Sequence, residues 1–250
     1  MSWLPVLVLA AALASLLLVE RWIHRRMQGV ALLLTGDPEI AVVVYALPLL
    51  PGIILHELSH ALAARLLGAQ VGRISIRPER QGDRIRLGFV PVEKTGVVRD
   101  SLIGLAPLLV GSGVTLLIGY LIFGIDAVGG AILAGDWHDL FTGLWAMLGA
   151  PDLWIWAYVI FAVSNTMLPS RTDRRAWTPV LLFLLLVALL TLLAGMGGAI
   201  VQGLSGPLTI ALRWLTAMCV LTLLMDLPFV LFIAAMERVL ERIQGVKVVY

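Results

Sequence analysis

The stretch EIAVVVYALPLLPGIILHELSHALAARLL (residues 39–67) is apolar over most of its length, yet it places His56, Glu57 and His60 within five positions. It is long enough to cross a bilayer as a helix, because a crossing takes about 20 residues. On a helix, positions i and i+4 lie on one face, so both imidazoles can reach one ion while Glu57 projects beside them. The stretch therefore predicts a membrane-spanning helix that carries two metal ligands.

The composition of the whole chain indicates a membrane protein. Of its 250 residues, 60% are hydrophobic and only 14% are charged, which is unlike a soluble globular domain. The net charge of +2 is too small to indicate a nucleic-acid partner. Cys219 is the only cysteine, which excludes an intramolecular disulfide and a metal site built from several thiolates. We therefore expect an α-helical polytopic membrane protein whose surroundings are the lipid bilayer.

Six apolar stretches predict about six transmembrane helices, at residues 3–19, 39–67, 101–123, 153–169, 178–201 and 207–234. The first stretch has no basic region before it and no clear cleavage site after it, so we expect a retained span rather than a removed signal peptide. These spans divide the chain into three parts: an N-terminal span with an interfacial segment (1–38), a membrane core that holds the site (39–177), and a two-helix membrane segment with a short tail (178–250).

The distribution of Lys and Arg predicts the orientation of these spans. Basic residues are concentrated in 68–100, in 170–177 and in the C-terminal tail, whereas 124–152 contains none. The positive-inside rule then places 68–100, 170–177 and both termini on the cytoplasmic side, and we expect an integral protein of a prokaryotic cell membrane. Residues 20–26 disagree, because their three arginines fall on the outer side. They form either an interfacial helix or part of a first span whose bounds differ from 3–19.

Between the second and third spans, the spacing of apolar residues changes from helical to alternating. Apolar residues occupy every second position on both sides of the turn-forming residues 78–83: Ile74, Ile76, Ile85, Leu87 and Phe89. This pattern predicts a short β-hairpin at the cytoplasmic membrane face. The hairpin can act as a basic loop attracted to anionic lipid, as a strand edge that pairs with an unwound peptide segment, or as both.

A third metal ligand is needed, because a catalytic zinc site takes three protein ligands and leaves one position for water. Asp173 follows the fourth predicted span at its cytoplasmic end, at a depth similar to that of His56 and His60. It could instead be a solvated acid paired with a neighbouring arginine. Asp226, inside the last predicted span, is the alternative third ligand.

Taken together, these segments resemble the site-2 protease family of intramembrane zinc metalloproteases. The resemblance lies in HELSHALAAR (residues 56–65), in the hairpin that follows, and in NTMLPSRTD (residues 165–173). Family members carry an Asn, a nearby Pro, and an Asp eight positions after that Asn; the matching residues here are Asn165, Pro169 and Asp173. The chain differs from the family in having Arg174 where a glycine usually follows the aspartate.

The resemblance implies a zinc metalloendopeptidase that hydrolyses peptide bonds in or near transmembrane segments of membrane-protein or peptide substrates. It implies Zn²⁺ held by His56, His60 and Asp173. It also implies two catalytic residues: Glu57 as general acid and base, and Asn165 as a residue that holds the substrate backbone or the developing oxyanion. Asn165 could alternatively hydrogen-bond between helices. Two other functions stay open, namely a catalytically inactive relative that binds membrane helices and a small ion-coupled transporter.

Overall fold

The computed structural model describes residues 4–72, 79–81, 84–86, 90–93, 95–126, 128, 131, 136–170, 173–174, 177–193 and 197–248. Long apolar helices dominate this part of the chain, and two short strands interrupt them. The helices are α1 (Leu4–Thr35), α2 (Pro38–Ala46), α3 (Leu50–Leu66), α4 (Val97–Leu121), α5 (Trp137–Leu148), α6 (Leu153–Ser164), α7 (Trp177–Leu193) and α8 (Gly197–Gln244). The strands are β1 (Glu79–Gln81) and β2 (Arg84–Arg86).

The protein is a helical protein with helices suited to a membrane. By length and composition, four helical segments can cross a bilayer: Val6–Thr35, Pro38–Leu66, Val97–Leu121 and Ser205–Gln244. A fifth is added if α5 and α6, which are bent by 99° relative to each other, are counted as one broken span. The apolar helix α7 has 17 residues, fewer than the roughly 20 that a crossing takes. The six predicted spans are therefore not reached within the described residues.

The N-terminal helix is longer than the predicted span 3–19. Of the two alternatives for residues 20–26, the structure agrees with a first span of different bounds, because these residues continue α1 without a break as far as Thr35. One of their charges has a partner inside the bundle: Arg26 Nη1 donates to both carboxylate oxygens of Glu237, at 2.9 Å each. Because a charge paired in this way does not need the headgroup region, the segment can belong to the helix itself.

Two hydrogen bonds show that α1 and α8 run parallel. Arg26 pairs with Glu237, and about two turns further along both helices Gln244 Nε2 donates to the carbonyl oxygen of Leu33 at 2.6 Å. The carboxyl ends of both helices therefore lie at one end of the bundle, and the start of α1 lies toward the other end.

A tight reversal connects α1 to the segment that carries the histidines. Gly36 has φ +65°, a conformation that glycine adopts without strain. Asp37 then caps α2, because its Oδ1 accepts hydrogen bonds from two main-chain N–H groups of the first turn, at 2.7 and 3.1 Å. A 3₁₀ turn (Leu47–Leu49) joins α2 to α3, at the prolines of this span. The 3₁₀ turn thus stands directly before the helix that bears the histidines.

The connection between α3 and α4 begins and ends with antiparallel pairing. Val71 and Val92 form an isolated β-bridge, and further out β1 and β2 pair antiparallel. The strand β1 occupies residues that the sequence pattern assigned to the turn. The remaining predicted strand residues lie outside the described part of the chain: Ile74, Ile76, Leu87 and Phe89.

Two large apolar cores, and one smaller cluster that joins the end of α3 to the start of α4, hold the described helices together. The first joins α1, α2, α3, α6 and α8 through buried residues that include Ile23, Tyr45, Ile53, Phe161 and Ile233. The second packs the end of α4 against α5, α6 and α8. Because both cores contain side chains from α8, the predicted membrane core and the C-terminal segment pack together, and α1 shares the first core with them.

Candidate metal centre

Three side chains converge at the carboxyl-terminal half of α3. Nitrogen atoms of His56 and His60 and a carboxylate oxygen of Asp173 all lie within 4.8 Å of one another. The two Nε2 atoms are 3.2 Å apart, and His60 Nε2 is 3.4 Å from Asp173 Oδ1. Two ligands held at 2.0–2.1 Å by a tetrahedral ion would be about 3.3 Å apart. These two separations therefore suit adjacent corners of a tetrahedral site, and the third, between His56 and Asp173, is at most 4.8 Å.

A hydrogen bond from α4 fixes the orientation of His60. Its Nδ1 lies 2.9 Å from the main-chain carbonyl oxygen of Ile103. Because a carbonyl only accepts, Nδ1 carries the hydrogen and Nε2 presents its lone pair toward His56 and Asp173. Metal-binding histidines usually donate their second ring nitrogen in this way. In His56, Nδ1 is buried and has no hydrogen bond of ordinary geometry among the described residues, although the backbone of Thr166 lies near the ring.

A reciprocal pair of hydrogen bonds orients Asp173. Its Oδ2 accepts from the main-chain N–H of Ser170 at 2.7 Å, and its own N–H donates to Ser170 Oγ at 3.3 Å. This is the geometry of a capping box. Since Oδ2 is engaged, Oδ1 is the oxygen that faces His60. Burial raises the pKa of Asp173, but without a metal the His60 ring can be protonated at Nε2 and donate to Oδ1; this bond and those with Ser170 outweigh burial and lower the pKa to about 2, so the carboxylate is ionised at neutral pH.

Small residues on α3 and α4 allow the segment 162–173 to reach the histidines. A Cβ added to Gly52 would overlap the main chain of Ala162, and one added to Gly104 would lie 3.0 Å from the carbonyl carbon of Asp173 and closer still to its oxygen. A Cβ on Gly111 would overlap Met167. At Gly104 and Gly111, the absence of a side chain in the third predicted span lets the ligand-bearing segment approach.

Glu57 lies next to the ligands and within the bundle. It is buried, with 7% of its surface exposed, and it interacts electrostatically with His60. The side chains of His60 and Asp173 are 11% and 14% exposed, so the cluster is not fully enclosed by the described residues. A carboxylate beside a metal-bound water is the group that accepts and returns its proton in zinc hydrolases.

Asn165 and Asp226 contact each other rather than the imidazoles. Asn165 Nδ2 donates to the carbonyl oxygen of Phe161 at 2.9 Å and to Asp226 Oδ1 at 3.2 Å. Both amide hydrogens are therefore engaged, and a donor role toward an oxyanion would first require one of these bonds to break. The contacts correspond to the interhelical alternative for Asn165. They also place Asp226, the alternative third ligand, against Asn165 instead of in the three-residue cluster.

Several residues around the centre were not identified from the sequence. Ser170 could have been found, because Ser-x-x-Asp is the pattern of a capping box. The Ile103 carbonyl could not, since a main-chain group leaves no signal in the residue types. His24, whose Nε2 lies 2.9 Å from the carbonyl oxygen of Asn165, is a polar residue in an apolar helix that the motif does not include.

Comparison of the chain with protein-family models, curated proteins and solved structures found no match.

Proposed function

We propose that this protein is an intramembrane zinc metalloprotease of the site-2 type, which hydrolyses peptide bonds in or near transmembrane segments of membrane proteins. The observation that carries the proposal is the convergence of His56, His60 and Asp173 within 4.8 Å, in a protein whose helices suit a membrane. Polar and charged groups cost several kcal/mol at the bilayer centre, so such a cluster is unexpected unless it functions.

The donor set fits zinc. Two neutral imidazole nitrogens and one carboxylate oxygen form a ligand set found in zinc hydrolases, and the separations of 3.2 and 3.4 Å suit tetrahedral geometry. When bound, zinc supplies a Lewis acid and lowers the pKa of its water to about 7. In this proposal Glu57 accepts the proton of the attacking water and delivers it to the leaving amine. Asn165 receives no chemical step, because its amide hydrogens are engaged elsewhere.

The substrate must present an extended segment to this centre. A helical substrate buries its scissile carbonyl in its own hydrogen bonds, so it has to unwind locally before attack. Next to the site, Val71 and Val92 pack against Ala64 and Ile103 at the ends of α3 and α4. We propose that the segment between Val71 and Val92 forms a β-hairpin and offers its strand edge to the unwound segment, since main-chain hydrogen bonds replace those that the helix loses.

A pair of point variants tests the proposal. Glu57→Gln should retain stoichiometric zinc and lose cleavage of a fluorogenic peptide whose apolar helix is interrupted by Gly and Pro, assayed in detergent micelles. His56→Ala should lose both zinc and cleavage. His138→Ala is the matched control, because this histidine lies outside the cluster and should retain both. Elemental analysis of purified wild-type protein that finds no bound zinc would contradict the proposal.

The same variants separate the other two functions. A catalytically inactive relative would retain its zinc and helix binding, and Glu57→Gln would then change nothing measurable. A transporter would show flux across vesicles that does not depend on zinc. The buried polar contacts between α1, α6 and α8 are the feature that such a path would use, so flux should be measured together with cleavage.

A further inference from the structure

Asn165 is held from two sides at the point where α6 ends. It is the C-cap residue of α6, and 2% of its surface is exposed. From α1, His24 Nε2 lies 2.9 Å from its main-chain carbonyl oxygen. From α8, Asp226 Oδ1 accepts from its side-chain amide at 3.2 Å. Asn165 is also eight positions before Asp173, so it stands at the start of the segment that carries the third ligand.

The contact from α1 has a defined hydrogen position. The carbonyl oxygen of Asn165 only accepts, so His24 Nε2 carries the hydrogen and donates it. The other ring nitrogen, Nδ1, lies 2.6 Å from the hydroxyl group of Tyr45, which orients the ring from α2. Glu20 Oε1 is 3.8 Å from His24 Nε2, and Glu20 lies four residues earlier, on the same face of α1. The imidazole is thus fixed by neighbours on its own helix and on α2.

The contact from α8 is buried, and some of its polar atoms have no hydrogen-bond partner among the described residues. Asp226 is 0% exposed, and its Oδ2 has no hydrogen-bond partner among the described residues. The same holds for Asn165 Oδ1. An asparagine at position 226 would keep the acceptor for Asn165 Nδ2. It would also add an N–H group, and a donor is what the unpaired Oδ1 of Asn165 lacks. Leucine has a similar volume and offers neither.

We propose that His24 and Asp226 are positioning residues for the metal centre. They fix the end of α6 from α1 and α8, and thereby fix where the segment from Asn165 to Asp173 starts. This inference rests on the proposed metal centre. Its physical basis is that the segment is short and closely packed, with Met167 against Gly111 and Asp173 against Gly104. A shift at Asn165 therefore has little room to be absorbed before it reaches Asp173 Oδ1.

Cobalt(II) is the probe, because its visible spectrum reports the geometry of the ligands as well as occupancy. Detergent-purified apoprotein is titrated with cobalt for the wild type and for His24→Phe, His24→Gln, Asp226→Leu and Asp226→Asn. Gln retains an N–H donor for the Asn165 carbonyl, and Asn retains the acceptor for its amide. We expect His24→Phe and Asp226→Leu to bind cobalt about 10–100-fold more weakly with an altered spectrum, as for lost outer contacts of metal ligands. His24→Gln and Asp226→Asn should bind it as the wild type does.

The possible results separate the inference from the proposed function. If the wild type takes up no cobalt, the metal centre and this inference both fail. If the wild type binds cobalt, and His24→Phe and Asp226→Leu match it in cobalt affinity and spectrum, only the inference fails. This holds even if the two variants have lower melting temperatures. If Asp226→Asn loses cobalt as completely as His60→Ala, Asp226 is a ligand and not a positioning residue. His138→Phe, a histidine replaced outside this network, is the control and should leave the titration unchanged.

Discussion

Replacing Gly104 by alanine should weaken metal binding although the substitution lies on α4 and changes no ligand. Its added Cβ would lie 3.0 Å from the carbonyl carbon of Asp173, 3.3 Å from its Cα, and closer still to the carbonyl oxygen. These are main-chain atoms, so they cannot rotate away as the end of a flexible side chain can. Either the helix or the ligand-bearing segment has to move.

The size of that movement follows from the contact distances. Ordinary contact begins at 3.4 Å, so the carbonyl carbon at 3.0 Å must withdraw by at least 0.4 Å. The carbonyl oxygen, which is nearer, must withdraw by about 1 Å. Metal–ligand distances tolerate only about ±0.2 Å. The displacement therefore exceeds what the centre accepts, and we expect zinc affinity to fall at least about 10-fold, in the range found when outer contacts of ligands are lost.

Replacing Gly104 by alanine has two opposing effects on the free energy of unfolding. Alanine favours a helix over glycine by about 1 kcal/mol, whereas overpacking of a filled interior costs about 1–3 kcal/mol. Because the obstacle is main chain, we expect the overpacking to prevail for Gly104→Ala. Gly113 is the matched control: it is on the same helix, and an added Cβ would meet nothing within 4 Å. Gly113→Ala should keep its zinc affinity and gain helix stability.

The assay is competition for zinc between the purified protein in detergent and a chromophoric chelator, with thermal unfolding measured on the same samples. A Gly104→Ala protein that binds zinc within twofold of the wild type would refute the argument. It would mean that the close approach of α4 to Asp173 does not set the ligand geometry. Equal losses in Gly104→Ala and Gly113→Ala would refute it too, because only one of them meets an obstacle.

Three further predictions concern the metal, the pH dependence and the charged pair. Chelation should lower the melting temperature of the wild type and leave that of His60→Ala unchanged, since an ion that binds only the folded state stabilises it; equal shifts would count against the centre. The pKa of Asp173, about 2, is below its ordinary 3.8, so its contacts stabilise fully above about pH 4 and are lost as the pH falls through about 2. We therefore expect zinc to be released between about pH 7 and 4, because imidazole, whose ordinary pKa is about 6.5, becomes protonated there. Elemental analysis after dialysis at each pH measures the release, and release confined to lower pH would contradict this expectation. Arg26→Met should cost about 1–3 kcal/mol of unfolding free energy, more than the double variant with Glu237→Leu, because it leaves a buried carboxylate without its arginine. The expected cost is below the range for a fully buried pair because the Arg26 side chain is 36% exposed. Denaturant unfolding measures both variants, and a larger loss of stability in the double variant would contradict the prediction.

The helical class and the location of the candidate site could be predicted because they depend on short-range patterns. The run of apolar residues identifies the segment 39–67 as a span, and the i, i+4 spacing puts His56 and His60 on one face of α3. Asp173 could be identified because it lies eight positions after Asn165 in the sequence, as in the family that the chain resembles. What the sequence could not supply is the partner of α4. The carbonyl of Ile103 acts through main-chain geometry, and Gly104 indicates a close approach without indicating that Asp173 makes it.

The positive-inside rule gave a conflicting result at residues 20–26, and the structure identifies a physical reason for it. The rule counts basic residues in loops, and the first predicted span ended at residue 19, so residues 20–26 counted as a loop on the outer side. In the structure they belong to α1, where Arg26 pairs with Glu237 of α8. A charge with a partner inside the bundle does not report which side of the membrane a loop occupies. The parallel packing of α1 and α8 makes that pairing possible, so for Arg26 the conflict comes from a contact between residues 211 positions apart in the chain.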